Sequence, residues 1–120
     1  EEGFVYIQDR IKDMIVSGGE NIYSTEVEAA LFAHPDIIDA AVIGVPNEKY
    51  GEVVKACIVK KEGSNLTEED VINFCKDRIA SYKKPQSIDF IDEVPRNASG
   101  KVLKKVLREP YWKDQDRQVS

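Results

Sequence analysis

The chain has 120 residues, 42% hydrophobic and 32% charged, which is one domain's length with enough apolar material for a core that needs no staples. Its net charge of −5 argues against general nucleic-acid binding, and its longest apolar stretches, such as residues 40–43, are far too short for a membrane span. A single histidine excludes a multi-histidine metal site, and two cysteines, Cys57 and Cys75, are too few for a disulfide framework or a zinc cage.

Glu1-Glu2-Gly3 leads at once into a strand pattern at residues 4–8, so the start reads as a cut from something longer. No basic-then-apolar leader precedes it, and the two thiols, set in apolar patterns, fit a reduced, cytoplasmic protein. A charged connection, residues 9–13, leads to a second strand at 14–16, which completes an N-terminal hairpin. Residues 17–21, Ser-Gly-Gly-Glu-Asn, read as a loop because paired glycines permit backbone angles closed to other residues. Thr25 and Glu28 have capping-box spacing and open a helix with Val27, Ala30, Leu31 and His34 on its apolar face. Pro35 ends it, with His34 set against the helix dipole.

Residues 37–45 are rich in β-branched and small side chains and predict a buried strand, and 53–59 predict another, with a turn at 47–51 between them. Thr67 caps a second helix whose first turn carries Glu68, Glu69 and Asp70. Residues 87–91 form the next strand. The polar loop 95–101 follows, then a short helix through Val102, Leu103, Val106 and Leu107 that Pro110 stops. Residues 1–109 form the domain and 110–120 a polar tail. The fold class is α+β: a small two-layer sandwich with an N-terminal β-hairpin and a mainly three-stranded sheet, helices packed on one side.

Charge is unevenly spread. Residues 1–75 carry 6 basic and 15 acidic side chains, a net of −9, whereas residues 76–108 carry 9 basic and 4 acidic, a net of +5. Local field steers an anion, so the basic segment suits a small polyphosphate. Within it, Gly100-Lys101 sits at a loop-to-helix junction and reads either as a cation for phosphate or carboxylate oxygens or as a solvated lysine. It lacks the upstream glycine and following hydroxyl of a P-loop. The Gly18-Gly19 pair reads as a narrow passage or a plain turn. Residues 82–85, Tyr-Lys-Lys-Pro, read as a base-stacking aromatic with cations or as a solvated helix end. No serine, cysteine or histidine arrangement supports nucleophilic catalysis.

In order, Asp9-Arg10-x-Lys12-Asp13, Ser17-Gly18-Gly19-Glu20-Asn21-Ile22, Glu26-Val27-Glu28 and Pro95-Arg96-Asn97-x-x-Gly100-Lys101 resemble the C-terminal domain of the acyl-adenylate-forming superfamily. The likeness runs over residues 3–109, and its wording is nearest to the fatty-acyl and aryl-acyl CoA synthetases. It implies a two-step ligase: a carboxylic acid and ATP with Mg2+ give acyl-AMP and pyrophosphate, and coenzyme A then displaces AMP. By the resemblance, Lys101 enters the first step between the substrate carboxylate and the α-phosphate, where an ammonium stabilises developing negative charge.

The resemblance also makes Lys12 the hinge about which the domain swings between two poses, with Asp9 and Arg10 supporting hinge or nucleotide. After the swing, Gly18 and Gly19 would line the pantetheine passage, where a β-carbon would narrow the bore, and Tyr50, Tyr82 and Lys84 would meet the nucleotide end of CoA. The implied partners are the N-terminal domain of the same enzyme, which would hold most of the ATP, Mg2+ and acyl contacts, and the small molecules themselves. Two rival readings stand beside this one. The first is an adenylation domain loading a carrier protein. The second is a stand-alone interaction module presenting an apolar patch of Val102, Val106 and Tyr111.

Overall fold

The structure is a computed structural model, and it describes residues 14–119, with side chains through Trp112. The expected strand at 4–8, the connection 9–13, and with them Asp9, Arg10 and Lys12, lie outside the described residues.

Strands β1 (Met14–Ser17) and β2 (Glu20–Tyr23) form a tight hairpin in full register from Met14↔Tyr23 to Ser17↔Glu20. The expected loop at 17–21 is therefore shorter, because Gly18 and Gly19 take positive φ (58° and 87°) and reverse the chain in two residues. Helix α1 (Ser24–Phe32) follows directly, then the long strands β3 (Ile37–Asn47) and β4 (Gly51–Lys60). Their antiparallel ladder runs from Ile37↔Lys60 to Asn47↔Gly51. The Asn47 side-chain oxygen closes the turn between them by accepting from the N–H groups of Lys49 and Tyr50. Helix α2 (Glu68–Lys76), one 3₁₀ turn (Ser81–Lys83), strand β5 (Ser87–Phe90) and helix α3 (Lys104–Val119) complete the chain. The sheet order is β2-β1-β4-β3, with β5 parallel to β4.

The α+β sandwich is the one the sequence predicts, with two corrections: the sheet has five strands where mainly three were expected, because Gly18-Gly19 turns β1 into β2 and β5 joins β4, and helices cover both faces of the sheet. Val42, Val54, Ala56 and Ile58 pack with Val27 and Leu31 of α1 and Val71 and Cys75 of α2. On the opposite face, Ile43, Val45, Val53 and Cys57 meet Leu107 and Tyr111 of α3. Two-sided burial explains why β3 and β4 read as nearly continuous apolar runs rather than alternating ones.

Expectations for two of the helices also change. Ser24 opens α1 with no side-chain cap, and Glu28 turns away from the helix terminus to accept the Val42 N–H of β3 at 2.9 Å. An unpaired sheet-edge donor and a nearby cation are stronger partners for a carboxylate than a solvent-exposed cap. Helix α1 ends at Phe32, ahead of His34, whose Nδ1 accepts from the Asp36 N–H while its ring meets Phe74 edge-on. At the other end of the chain, α3 starts at Lys104 and runs through Pro110, which the sequence reads as its stop. Tertiary anchors beyond the proline offset its missing N–H: the Tyr111 hydroxyl donates to Asp89, and Trp112 Nε1 donates to the Gly44 carbonyl at 2.8 Å. By contrast, Thr67 caps α2 as predicted, with reciprocal bonds between Thr67 and Asp70 of 3.1 Å each. Among the described residues no helix is long and apolar enough to cross a membrane.

Candidate functional site

Lys101 stands exposed on a turn built largely by one side chain. The Asn97 amide oxygen accepts from the backbone N–H groups of Ser99 (3.0 Å) and Lys101 (2.9 Å) and from the Ser99 hydroxyl (2.8 Å). Backbone bonds from Asn97 to Lys101 and from Gly100 to Asn97, both 3.0 Å, close the tip, and Gly100 supplies the φ of +90° that the reversal needs. At the neck, Arg96 bridges Val102 and the Leu103 N–H reaches the Pro95 carbonyl at 2.9 Å. The expected polar loop is thus a preorganised hairpin-like turn, and Val102 belongs to its neck instead of to a helix.

This turn borders a groove of about 440 Å³ that gathers Arg96, Lys101, Lys104, Lys105 and Arg108, five cations of the basic segment. Phe32, Ala40 and Leu103 give it an apolar side, and Glu28 is the one carboxylate in its lining. Concentrated positive charge next to apolar surface suits an anion carrying an organic group.

Gly18, Gly19 and Tyr50 come together at the opposite end of the β3–β4 ladder. The Gly18 N–H donates to the Tyr50 carbonyl at 3.0 Å, and a Cβ on Gly18 would stand 3.1 Å from Tyr50 Cδ1. A Cβ on Gly19 would project into open space. The Lys101 turn is tied to Asp39, paired with Val59, whereas this cluster abuts Gly51. Eight residues of β4 separate those positions, roughly 26 Å at a strand rise of about 3.3 Å per residue.

Tyr82 lies within the 3₁₀ turn just before β5 and Lys84 directly follows it, and the entry to β5 is fixed by the Gln86 N–H on the Val54 carbonyl. Tyr82 is exposed with the Lys83 ammonium beside its ring, and Lys83 pairs with Glu26 of α1 at 2.8 Å. Lys84 Nζ reaches back to the Ser81 carbonyl and hydroxyl at 3.4 Å. Val54, which holds Gln86, lies three positions along β4 from Gly51, the residue that abuts the Gly18–Tyr50 cluster. The apolar patch of the interaction-module reading is not assembled. Tyr111 packs inward over Lys55 while Val106 is exposed.

Both cysteines are buried and unpaired, and burial first of all pushes each thiol up to about 11. Sequence reasoning missed two ion pairs beside the Lys101 turn: Arg96 with Asp39, and Lys104 with Glu28. Their partners are distant in the chain and carry no local signature.

Comparison with known proteins gives a consistent result. The profile of the AMP-binding enzyme C-terminal domain matches residues 26–101. A methyl-dioxo-octahydro-indenyl-propanoyl:CoA ligase of Rhodococcus jostii is 53% identical over 109 residues, covering 91% of this chain and 21% of the relative. A fatty acid–[acyl-carrier-protein] ligase of Streptomyces coeruleorubidus is 44% identical over 120 residues, covering 100% of this chain and 23% of the relative. Among solved structures, ATP-bound MatB from Rhodopseudomonas palustris superposes with a TM-score of 0.81 at 39% identity, covering 87% of this chain and 20% of that one. The chain thus spans about a fifth of the length of the proteins it matches.

Proposed function

Because the chain belongs to the AMP-binding enzyme C-terminal domain family, we propose that it acts as the mobile C-terminal domain of an AMP-forming acyl-CoA synthetase. The enzyme would join a carboxylic acid, fatty in the simplest case, to coenzyme A through an acyl-adenylate, in the cytoplasm. The observation that carries this reading is the separation of two built sites: Lys101 on its turn at one end of the β3–β4 ladder, and Gly18, Gly19 and Tyr50 at the other.

In the first pose the Lys101 ammonium reaches the substrate carboxylate and the α-phosphate as the acyl–phosphate bond forms and pyrophosphate leaves. A fixed cation in a closed site is worth several kcal/mol at that point. The basic groove beside it adds field of the same sign. Rotation about Lys12, supported by Asp9 and Arg10, then presents the other end. Gly18 and Gly19 leave room for the pantetheine arm, and Tyr50, Tyr82 and Lys84 meet the nucleotide end of CoA. The thiol attacks the acyl carbon and AMP departs. ATP and its Mg2+ would be held mainly by the N-terminal domain. Among the described residues no group of three or more His, Cys, Asp or Glu is arranged to hold a metal.

The test is Lys101→Ala in the complete enzyme. ATP–pyrophosphate exchange is expected to fall by about a hundredfold or more, while thioester formation from preformed acyl-AMP persists. Equal loss of both half-reactions would overturn the assignment. The 120-residue chain alone is expected to catalyse no exchange.

A second reading, with a carrier protein as acceptor, is favoured by the relative named for that acceptor, which aligns over the whole chain. Supplying the complete enzyme with CoA or with a phosphopantetheinylated carrier protein separates the two.

A further inference from the structure

Strand β3 pairs with β4 on one edge, and on its other edge the backbone groups of residues 40, 42 and 44 meet side chains. Two of those side chains are carboxylates with a second task. Asp39 Oδ1 accepts the Ala40 N–H at 2.9 Å, and both Asp39 oxygens take the Arg96 guanidinium at 2.8 Å. Glu28 Oε2 accepts the Val42 N–H at 2.9 Å and pairs with Lys104 Nζ at 2.8 Å, while Lys104 also donates to the Ser24 hydroxyl at 2.8 Å. Arg96 precedes Lys101 by five residues and Lys104 follows it by three. Each carboxylate is therefore keyed to the sheet by an edge N–H and holds one flank of the Lys101 turn. Arg96 further donates to the Gly100 carbonyl, next to Lys101 itself.

We infer that Asp39–Arg96 and Glu28–Lys104 are paired positioning residues that fix where the Lys101 amine is presented. The inference rests on the assignment of Lys101 to the adenylation step. The Glu28–Lys104 pair is nearly buried, with side chains 17% and 13% exposed. A buried ion pair contributes little net stability compared with an apolar pair of the same size, but it admits one geometry. That makes these pairs poor devices for stability and good ones for aim. Displacing a reacting group by about 1 Å can cost about a hundredfold in rate, so loosening either flank should register in the chemistry that uses Lys101.

The test uses the complete enzyme and six variants: Glu28→Gln, Asp39→Asn, Lys104→Met, Lys104→Arg, the double change Glu28→Gln with Lys104→Met and, as reference, Lys101→Ala. Glu28→Gln, Asp39→Asn and Lys104→Met are expected to lower kcat of ATP–pyrophosphate exchange by about 10- to 100-fold. KM for ATP and acid, and thioester formation from preformed acyl-AMP, should stay within about threefold of the parent. Lys104→Arg, which keeps the cation, should recover most of the exchange rate. Combining Glu28→Gln with Lys104→Met should cost no more than the worse single change. Asp39→Asn alters the more exposed pair and keeps the inference testable if Glu28→Gln lowers the melting temperature severely. Loss of exchange in Lys101→Ala with full exchange in the flank variants would overturn the positioning role alone. So would a parallel fall of both half-reactions in those variants. Full exchange in Lys101→Ala would instead remove the underlying assignment.

Discussion

Replacing Asp89 by Asn is expected to cost the fold more than replacing its partner Lys55 by Met. Lys55 lies on the β4 face under α3, with its ammonium 3.2 Å from Asp89 Oδ1 and 5.0 Å from the Tyr111 ring centre. The Tyr111 hydroxyl donates to the other Asp89 oxygen. The two partners are unequally wet: the Lys55 side chain is 10% exposed and that of Asp89 39%. Removing the Asp89 charge leaves an ammonium in a nearly dry site, whereas removing Lys55 leaves a carboxylate that still has water and Tyr111. Breaking a fully buried pair costs about 3–5 kcal/mol. Discounting for Asp89's access to solvent, the expected cost of Asp89→Asn is about 2 kcal/mol, against at most about 1 kcal/mol for Lys55→Met.

Unfolding entropy near 2.1 cal/mol/K per residue turns about 2 kcal/mol into a fall of roughly 8 °C in Tm for a chain of this size. The assay is thermal unfolding by circular dichroism at pH 7 and again in acid. Burial alone would raise the Asp89 pKa. Hydrogen bonds from Tyr111 and Lys55, with the Lys55 charge, outweigh it and hold the carboxyl below its ordinary 3.8. A depressed carboxylate stabilises the fold above its unfolded pKa and stops doing so as pH falls through the folded value. The gap between parent and Asp89→Asn should therefore be complete at pH 7 and close in strong acid. Equal costs for the two substitutions, or a gap that does not change with pH, would refute the reasoning.

At Gly18, a Cβ meets both a φ of +58° and the Tyr50 ring at 3.1 Å. Gly18→Ala should cost about 1–2 kcal/mol and slow thioester formation more than pyrophosphate exchange in the complete enzyme, and a larger effect on exchange would contradict the assigned end. With thiols raised from 9.0 to about 11 by burial, Cys57 and Cys75 should resist a disulfide reagent at pH 8 in the folded chain and react at once in urea. The same shifts make stability fall as pH climbs from about 9 towards 11, because only the unfolded chain ionises there, and a stability flat across that window would contradict them.

The legible parts of the sequence were those whose cause is local. Thr67 and Asp70 cap one another within four residues, and the apolar runs of β3 and β4 need only their own composition to be read. Strand β2 was hidden because Gly18 and Gly19 resemble a loop until their positive φ values show a two-residue reversal. Glu28 carried a true capping pattern, yet its partners Val42 and Lys104 lie on elements that only the fold brings near. The same holds for Asp39 and Arg96, 57 residues apart. Pro110 misled for the converse reason: its local rule is sound, but Tyr111 and Trp112 are anchored by Asp89 and Gly44. Within the candidate site, the groups assigned to meet ligands were named by resemblance to a family, while those that orient them came from the fold alone.

The β3–β4 ladder gives the proposed swing a mechanical basis. Ten paired positions of antiparallel sheet, packed by helices on both faces, do not bend by the dimensions of a reaction centre. Asp39, which holds the Lys101 turn through Arg96, and the Gly18–Tyr50 cluster are separated along it by roughly 26 Å, several times the reach of a lysine side chain. No rotamer change can bring both to one acyl carbon. If each serves a step at that carbon, the domain has to turn as a body between the steps. The stiffness that fixes Lys101 in one step is then the property that withdraws it in the next. Restraints that loosen the Lys101 turn and restraints that lock the domain in one pose should accordingly fail in different half-reactions: the former lose adenylation alone, the latter whichever step requires the other end.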